Sequence, residues 1–327
     1  MIEPGDTPLP CGPGEPPYKL IGNHKHEAHS TSGTGATMCS TALRCPRAAY
    51  FDLQVREERK PGLSDHYPFA RGTMAHTLAL HLAIRCLKPS WWEQWADAQT
   101  ATLELLKTGS PKVQATLKKN FFPLIPSISH QIIQILGADF EGCELYAAES
   151  VLSMAVNDGQ VYTPLVDLIL YNRAANIYHF IDWKTSSLES SALKGLDEWD
   201  PKTKSVRVIR SGSEFFYSAE PQFQWMYLLG DEHFPEATVK VWVGLIRLVK
   251  GQDPEVEMVP IQRGGPEWRN ALEKAMDFDG TPTPGQGACY TPYGPCAHWA
   301  KCYPEVQKEP VALPVAPAQT VVETPEY

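Results

Sequence analysis

The stretch YHFIDWKTSS, residues 178–187, decides the fold class of this chain. Its aromatic and β-branched first half is typical of a buried strand. The stretch then changes to Asp182 and Lys184, which are two residues apart and therefore lie on the same face of a strand. The sequence predicts a carboxylate and an ammonium side by side at a strand end. A solvated surface ion pair has the same pattern, so the other segments must distinguish the two interpretations.

Composition and charge limit the function classes. The chain has 327 residues, of which 43% are hydrophobic and 20% charged, and these values exclude disorder of the whole chain. The length suits one large domain or two small ones. The formal net charge of −9 argues against nucleic-acid binding through overall charge. Contact with DNA would therefore need a local basic groove.

Two features bear on localisation. No run approaches the roughly 18 consecutive apolar residues that a membrane helix needs. The first 17 residues, MIEPGDTPLPCGPGEPP, lack the basic and apolar regions of a secretion signal. We therefore expect a cytoplasmic protein without a membrane association, in a bacterium or a phage-infected cell.

The sequence divides into two low-complexity arms and a folded body. The arms are rich in proline and lack apolar periodicity, which predicts disorder or extended chain. No phosphate-loop motif occurs, so no nucleotide-driven motor is expected in this chain. The predicted divisions are an arm at 1–33, a single domain at 34–304 and a tail at 305–327. Within the domain, we expect a helical segment at about 34–140, an α/β core at about 141–280 and a cysteine loop at 289–302.

Secondary-structure patterns predict an α/β fold. Helices are predicted at 38–54 and 71–87, followed by shorter helical pieces broken near residues 109–111, Pro123 and Pro126. Three strands then form an antiparallel meander from ELYAAESVLSMAV (144–156), GQVYTPLVDLIL (159–170) and ANIYHFIDWK (175–184). A polar insertion at about 186–218 precedes a helix at 220–232. Strands near 237–249 and 254–261 and a helix at 266–277 complete the pattern.

The acids of the meander indicate a metal site. Asp167 lies inside the apolar strand PLVDLILY, where an unpaired carboxylate is costly to bury unless it meets a cation. Asp182 ends the next strand, so the two carboxylates can approach each other across a hairpin. Their repulsion is removed by a divalent ion, and hard oxygen ligands favour Mg²⁺ or Mn²⁺. Lys184 would orient a water for attack on phosphorus.

The order of these residues resembles the PD-(D/E)XK nuclease superfamily, and the flanking segments resemble its RecB-type branch. The branch has a glycine-histidine motif on an upstream helix, matched by Gly72 and His76 in RGTMAH, and a later helical glutamine, matched by Gln222 in EPQFQWMY. The resemblance implies a restriction-endonuclease-like mixed sheet flanked by helices. It also implies a helical N-terminal half, an iron–sulfur clasp and metal-dependent exonuclease activity on DNA.

The resemblance also implies roles for individual residues. The implied metal ligands are His76, Asp167, Asp182 and the main-chain carbonyl of Trp183. The implied catalytic residues are Lys184, Asp182, Asp167, Gln222 and Glu149. Glu149 matches a carboxylate that some members have near the metal, but an exposed strand charge has the same pattern. Gln224 is an alternative to Gln222, because Met226 stands where the family's tyrosine is usual and Tyr227 follows it.

Four cysteines match the iron–sulfur members of this branch, which include AddB subunits and CRISPR-associated nucleases. The resemblance implies a 4Fe–4S cluster bound by Cys45, Cys289, Cys296 and Cys302. Here six residues separate the first two cysteines of the C-terminal loop, whereas the family often has two. A zinc site is the alternative, because His298 could complete a local Cys₃His set without Cys45.

The expected partner is DNA, as single strands or duplex ends, and a helicase or recombination protein is a further possible partner. Phage recombination, DNA repair and CRISPR adaptation are all compatible with this activity. DNA phosphates could contact the basic residues of the insertion, although a solvated loop has the same pattern. Bases could stack on a cluster of tryptophans, although a protein core has the same pattern. These residues are Lys202, Lys204, Arg207 and Arg210, and Trp91, Trp92 and Trp95. A DNA-binding clamp that cleaves weakly is the alternative function.

Overall fold

The fold is an α/β arrangement in a computed structural model that describes residues 63–87, 96–157, 160–162, 164–187, 196–200, 205–210, 212–276, 290–291 and 294–295. The α-helices of these residues are α1 (Tyr67–Leu87), α2 (Ala98–Lys107), α3 (Pro111–Asn120), α4 (Ile125–Asp139), α5 (Gly212–Ser218), α6 (Pro221–His233) and α7 (Glu267–Met276). A 3₁₀ turn at Phe122–Leu124 joins α3 to α4. The helical first half that the sequence predicts is therefore present in the described residues.

In the described residues, the strands form one large sheet and three small ones. The strands of the large sheet are β1 (Cys143–Val151), β4 (Leu165–Asn172), β5 (Ile177–Ser186), β8 (Thr238–Arg247) and β9 (Glu255–Pro260), in that spatial order. Three hairpins are formed by β2 (Met154–Asn157) with β3 (Gln160–Tyr162), β6 (Leu196–Asp200) with β7 (Ser205–Arg210), and β10 (Tyr290–Thr291) with β11 (Gly294–Pro295). In the large sheet β5 and β8 are parallel and the other pairs are antiparallel. The predicted α/β class, with a mixed sheet flanked by helices, is confirmed.

Two predicted strands are each divided in the structure. The strand predicted at 144–156 ends at Val151, and the one predicted at 159–170 continues the large sheet only from Leu165. The segments between Val151 and Leu165 form the separate β2–β3 hairpin. Pro164 has no N–H for the sheet ladder, and its carbonyl instead accepts a 3.3 Å hydrogen bond from the Leu152 N–H. The meander is therefore formed by β1, β4 and β5, and the β2–β3 hairpin lies between β1 and β4 in the sequence.

Two further predictions differ in detail from the structure. Pro126 does not break the helical segment, because it lies in the first turn of α4, where its missing N–H has no partner to lose. The polar insertion, for which no secondary structure was predicted, contains the β6–β7 hairpin and α5 in its described residues.

The core has one layer on each face of the large sheet. On one face α1 to α4 cover a cluster that includes Leu168, Ile181 and Trp183. On the other face α6 and α7 cover a cluster that includes Phe180 and Trp225. Residues alternate between the two faces along β5, as the strand period requires.

The indole of Trp183 needs a glycine on the neighbouring strand. A Cβ atom on Gly244 would lie 2.2 Å from the Trp183 ring, so any larger residue would displace that ring. The ring is thereby held on the α1 face of β5. Asp182 and Lys184, the residues on either side of it, are directed away from that face.

One segment, Pro111–Asp139, is long and apolar enough by composition to cross a membrane. In the structure it is divided between α3 and α4, and Ile128, Ile132 and Leu136 on α4 lie in the core. It is the one such segment among the described residues, and length and composition alone are weak evidence for a membrane span.

Several predicted features lie outside the described residues. They are the helix at 38–54, both arms, the cysteines Cys45, Cys289, Cys296 and Cys302, the tryptophans Trp91, Trp92 and Trp95, and the lysines Lys202 and Lys204. Arg207 and Arg210 belong to β7.

Candidate active site

Three carboxylates form one row across three adjacent strands. Glu149 on β1 lies between two residues that pair on either side of Asp167 on β4. Asp167 and Asp182 each lie one residue beyond Leu168 and Ile181, where the pairing of β4 with β5 ends. Three neighbouring pairs define this register: Ala148 with Leu168, Ser150 with Val166, and Leu168 with Ile181. Strand neighbours of this kind have Cβ atoms about 4.5–5.5 Å apart. The sheet therefore brings together three acids that are separated in sequence.

Glu149 has an unusual backbone conformation. Its φ is 45°, in the left-handed region, which is uncommon for a residue other than glycine, asparagine or aspartate. Its Oε1 atom is buried without a hydrogen-bond partner and lies 3.9 Å from Nδ1 of His76. An unpaired buried carboxylate oxygen and a strained backbone at one residue are features typical of functional sites.

Helix α1 brings an imidazole to this row. His76 Nε2 lies 3.0 Å from Asp167 Oδ2, although the imidazole is not oriented for a good hydrogen bond to it. Burial lowers the pKa of His76, but Asp167, Glu149 and Asp182 together raise it to about 9. The imidazole is therefore cationic at neutral pH in the absence of another cation.

Gly72 explains how α1 approaches β5 so closely. A Cβ atom at this position would lie 3.3 Å from Thr185 Oγ1, tighter than most contacts of this type. Glycine therefore lets the helix approach the carboxyl end of β5, with His76 one turn further along. The glycine-histidine pair of the sequence motif has this geometric function.

Asp167 is stabilised as an anion although it is buried. Its Oδ2 atom accepts a 2.7 Å hydrogen bond from the main-chain N–H of Trp183. Burial raises the pKa of Asp167, but His76, Lys184 and this N–H outweigh that effect and hold the pKa below its usual value. The main chain of Trp183 therefore runs directly beside the carboxylates.

Asp182 and Lys184 lie side by side, with 2.5 Å between Oδ2 and Nζ. Burial raises the pKa of Asp182 to about 6, against the opposing effect of Lys184. Burial lowers the pKa of Lys184, but Asp182 and Asp167 raise it above its usual value. Since Asp182 is 9% exposed and Lys184 36%, this is not the solvated surface pair of the alternative interpretation.

The donor set of this site fits a divalent cation in its chemistry. Three carboxylates face two cationic side chains, His76 and Lys184, so the buried cluster carries excess negative charge. Oxygen ligands of this type favour Mg²⁺ or Mn²⁺. Among the described residues, no three His, Cys, Asp or Glu side chains already converge on a single ion position. In this arrangement the protein's own cations offset two of the three negative charges.

The two candidate glutamines on α6 have different surroundings. Gln224 is 3% exposed, and its amide donates to the carbonyls of Ser218 and Gln262, while its Oε1 accepts from the N–H of Gly264. Gln224 therefore joins three loops, and both of its amide N–H donors are used within the protein. Gln222 is partly exposed, so its side chain is not committed to the interior as that of Gln224 is.

Substitution of the two glutamines should separate a structural role from a functional one. Gln224→Ala is expected to lower the free energy of unfolding by about 2–3 kcal/mol, because it leaves buried backbone groups without partners. Gln222→Ala should change that free energy by less than about 0.5 kcal/mol and should instead lower the cleavage rate. Thermal melts and initial rates of both variants provide the measurement. A cleavage defect in Gln224→Ala that is larger than its stability loss explains would contradict this assignment.

Two aromatic residues near Lys184 escaped the sequence analysis. The Lys184 ammonium lies 5.9 Å from the centroid of the Phe223 ring on α6. Tyr217 on α5 packs edge-on against Phe223 and contributes to the raised pKa of Lys184. Helix α5 lies within the insertion, and no sequence motif marked it.

Comparison with solved structures yields matches of low sequence similarity. No protein-family model matches the chain, and no curated protein matches it. A solved structure from Eubacterium rectale that carries the provisional name exonuclease matches with 9% sequence identity and a TM-score of 0.41. That match covers 94% of this chain and 100% of the other. At this level of similarity the site must be interpreted from its own residues.

Proposed function

We propose that this protein is a metal-dependent nuclease that hydrolyses phosphodiester bonds at DNA ends. The observation that supports this proposal best is the row of Glu149, Asp167 and Asp182 across three strands, with the Lys184 ammonium against Asp182. A row of buried carboxylates beside a lysine combines groups that bind a hard cation with a group that can stabilise phosphoryl charge.

Each residue of the site has a chemical task in the proposal. Asp167 and Asp182, with Glu149 and His76, would hold Mg²⁺ or Mn²⁺, and the main-chain carbonyl of Trp183 is a further candidate ligand. A bound ion of this type would polarise the scissile phosphate and lower the pKa of the attacking water. The Lys184 ammonium would orient that water and stabilise negative charge on the phosphoryl oxygens.

His76 would change its protonation state with metal occupancy. Its raised pKa depends on the neighbouring carboxylates. When a divalent cation neutralises those carboxylates, the imidazole loses the interactions that keep it protonated and can act as a neutral ligand. The same histidine therefore neutralises the acids before metal binding and can bind the ion afterwards.

The RecB-type iron–sulfur assignment rests on the sequence alone. It places a 4Fe–4S cluster on Cys45, Cys289, Cys296 and Cys302, all outside the described residues. The iron and zinc contents of anaerobically purified protein separate this cluster from the zinc alternative with His298. The nuclease proposal does not depend on the outcome, because its residues form a separate group.

The nuclease proposal is tested with DNA labelled either at its ends or internally, as single strands and as duplexes. Cleavage should require Mg²⁺ or Mn²⁺, and Ca²⁺ should support binding with little turnover. End-labelled DNA should release mononucleotides or short products before internally labelled DNA does. Robust cleavage in excess EDTA by protein free of contaminating nucleases would rule out the metal mechanism. DNA binding without cleavage in either metal would favour the non-enzymatic clamp.

A further inference from the structure

Phe69 is a large apolar side chain that remains exposed close to the candidate active site. Its exposure is 67%, the highest of the three large exposed hydrophobic residues in the described part of the chain. The other two are Leu103 at 39% and Ile133 at 46%. Exposure of an entire aromatic ring loses the free energy that its burial would provide.

Helix geometry places Phe69 on the face of α1 that carries His76. Phe69 is seven residues before His76, so the two side chains project from nearly the same face of α1, about 10 Å apart along its axis. Gly72, between them, contacts Thr185 on β5. His76 is thus level with Asp167, Gly72 is level with the end of β5, and Phe69 projects beyond that end.

One aromatic neighbour contacts the Phe69 ring, and positive charge lies elsewhere at this end of the sheet. The His66 imidazole packs against the Phe69 ring with 4.9 Å between centroids. Arg71 donates a 3.3 Å hydrogen bond to the Leu248 carbonyl, just beyond the end of β8, and the exposed Lys250 follows two residues later. Phe69 and Arg71 are two residues apart on α1 and therefore project from different sides of the helix.

We infer that Phe69 is a stacking platform for an unpaired nucleobase of the strand that enters the active site, an inference that rests on the proposed nuclease function. A base has an accessible π-face only where it is not stacked within a duplex, so the ring selects single-stranded ends. Lys250, exposed beyond the end of β8, would attract a phosphate elsewhere on the same strand. The ring positions the substrate strand and takes no part in the chemistry.

The test compares two strands with the same number of phosphates. One is a fluorescently labelled oligo(dT), and the other is a matched abasic oligonucleotide, which offers no base to stack. Binding of both to the full-length protein is measured by anisotropy in Ca²⁺. Phe69→Ala should weaken oligo(dT) binding by about 10-fold and should change binding of the abasic strand by less than about twofold. Phe69→Trp should restore binding, with tryptophan fluorescence quenched by oligo(dT) and not by the abasic strand.

Ile133→Ala is the matched control, because it removes another exposed apolar side chain, on a helix that packs beside β9. It should leave both affinities unchanged. Equal weakening of both strands by Phe69→Ala, or no weakening of either, would overturn the inference. Concentration-dependent self-association that Phe69→Ala abolishes, with DNA binding unchanged, would assign the ring to a protein contact instead.

Cleavage by the wild-type protein, measured in parallel with Mg²⁺ or Mn²⁺, separates this inference from the function on which it rests. If the wild type cleaves DNA but Phe69→Ala binds oligo(dT) normally, the stacking platform is wrong and the nuclease stands. If the wild type does not cleave DNA but binds oligo(dT) more tightly than the abasic strand because of Phe69, the proposed nuclease activity is wrong and the inference of a stacking platform is retained.

Discussion

Asp182→Asn is expected to reduce DNA cleavage by on the order of 10³-fold or more, because it removes a carboxylate from the centre of the proposed metal site. The change keeps the size of the side chain and removes its charge. The folded state should persist, since burial of this carboxylate raises its pKa to about 6 and its charge is therefore costly in the fold. Initial cleavage rates and Mn²⁺ titration calorimetry would measure the two effects, and Mn²⁺ affinity should fall with the rate.

Asp253→Asn is the matched control, because Asp253 is exposed and lies outside the carboxylate row. It makes the same chemical change and should leave both the rate and the Mn²⁺ affinity unchanged. Cleavage by Asp182→Asn at the wild-type rate, in a preparation free of contaminating nuclease, would remove Asp182 from the catalytic mechanism.

Lys184→Met should lower turnover by about 10²–10³-fold for a different reason. The variant lacks the ammonium that would orient water and stabilise phosphoryl charge. Metal binding should be retained or become tighter, because the ammonium no longer competes for Asp182 Oδ2, from which it lies 2.5 Å away. Lys184→Met and Asp182→Asn therefore share a loss of activity but differ in the direction of their effect on Mn²⁺ affinity.

The Mn²⁺ affinity of Lys184→Met depends on the pH of the titration. Lys184 opposes the effect of burial on Asp182, so its removal raises the pKa of that carboxyl further above about 6. Protons would then compete with Mn²⁺ at neutral pH. Titration at about pH 8.5 keeps Asp182 ionised and isolates the effect of the ammonium.

Lys240→Met serves as the control because it removes an exposed lysine from β8, the neighbouring strand, opposite His179 and away from the carboxylate row. It should alter neither turnover nor Mn²⁺ affinity. A Lys184→Met protein that loses Mn²⁺ binding at pH 8.5 would show that the lysine supports the metal site, instead of competing with the ion.

The sequence by itself determined the α/β class and the ion pair of Asp182 and Lys184. A strand has a period of two, so the residues on either side of Trp183 must share a face whatever surrounds them. The apolar strand around Asp167 likewise required a compensating partner, because an isolated buried carboxylate is costly. These conclusions depend on local geometry and on the cost of burying charge, and both can be obtained from a short stretch of sequence.

Only the tertiary structure decided which distant groups meet. From the sequence, Glu149 could be an exposed strand charge, whereas the register of β1 with β4 makes it the third member of the carboxylate row. No sequence pattern predicted its left-handed backbone. The loops around Gln224 give that residue a structural role, which its place in the sequence pattern did not show. Helix α1 carries Phe69 past the end of β5, a position set by the close approach of Gly72 to Thr185. Each of these outcomes depends on contacts between segments far apart in the chain, and a pattern within a single segment carries no information about them.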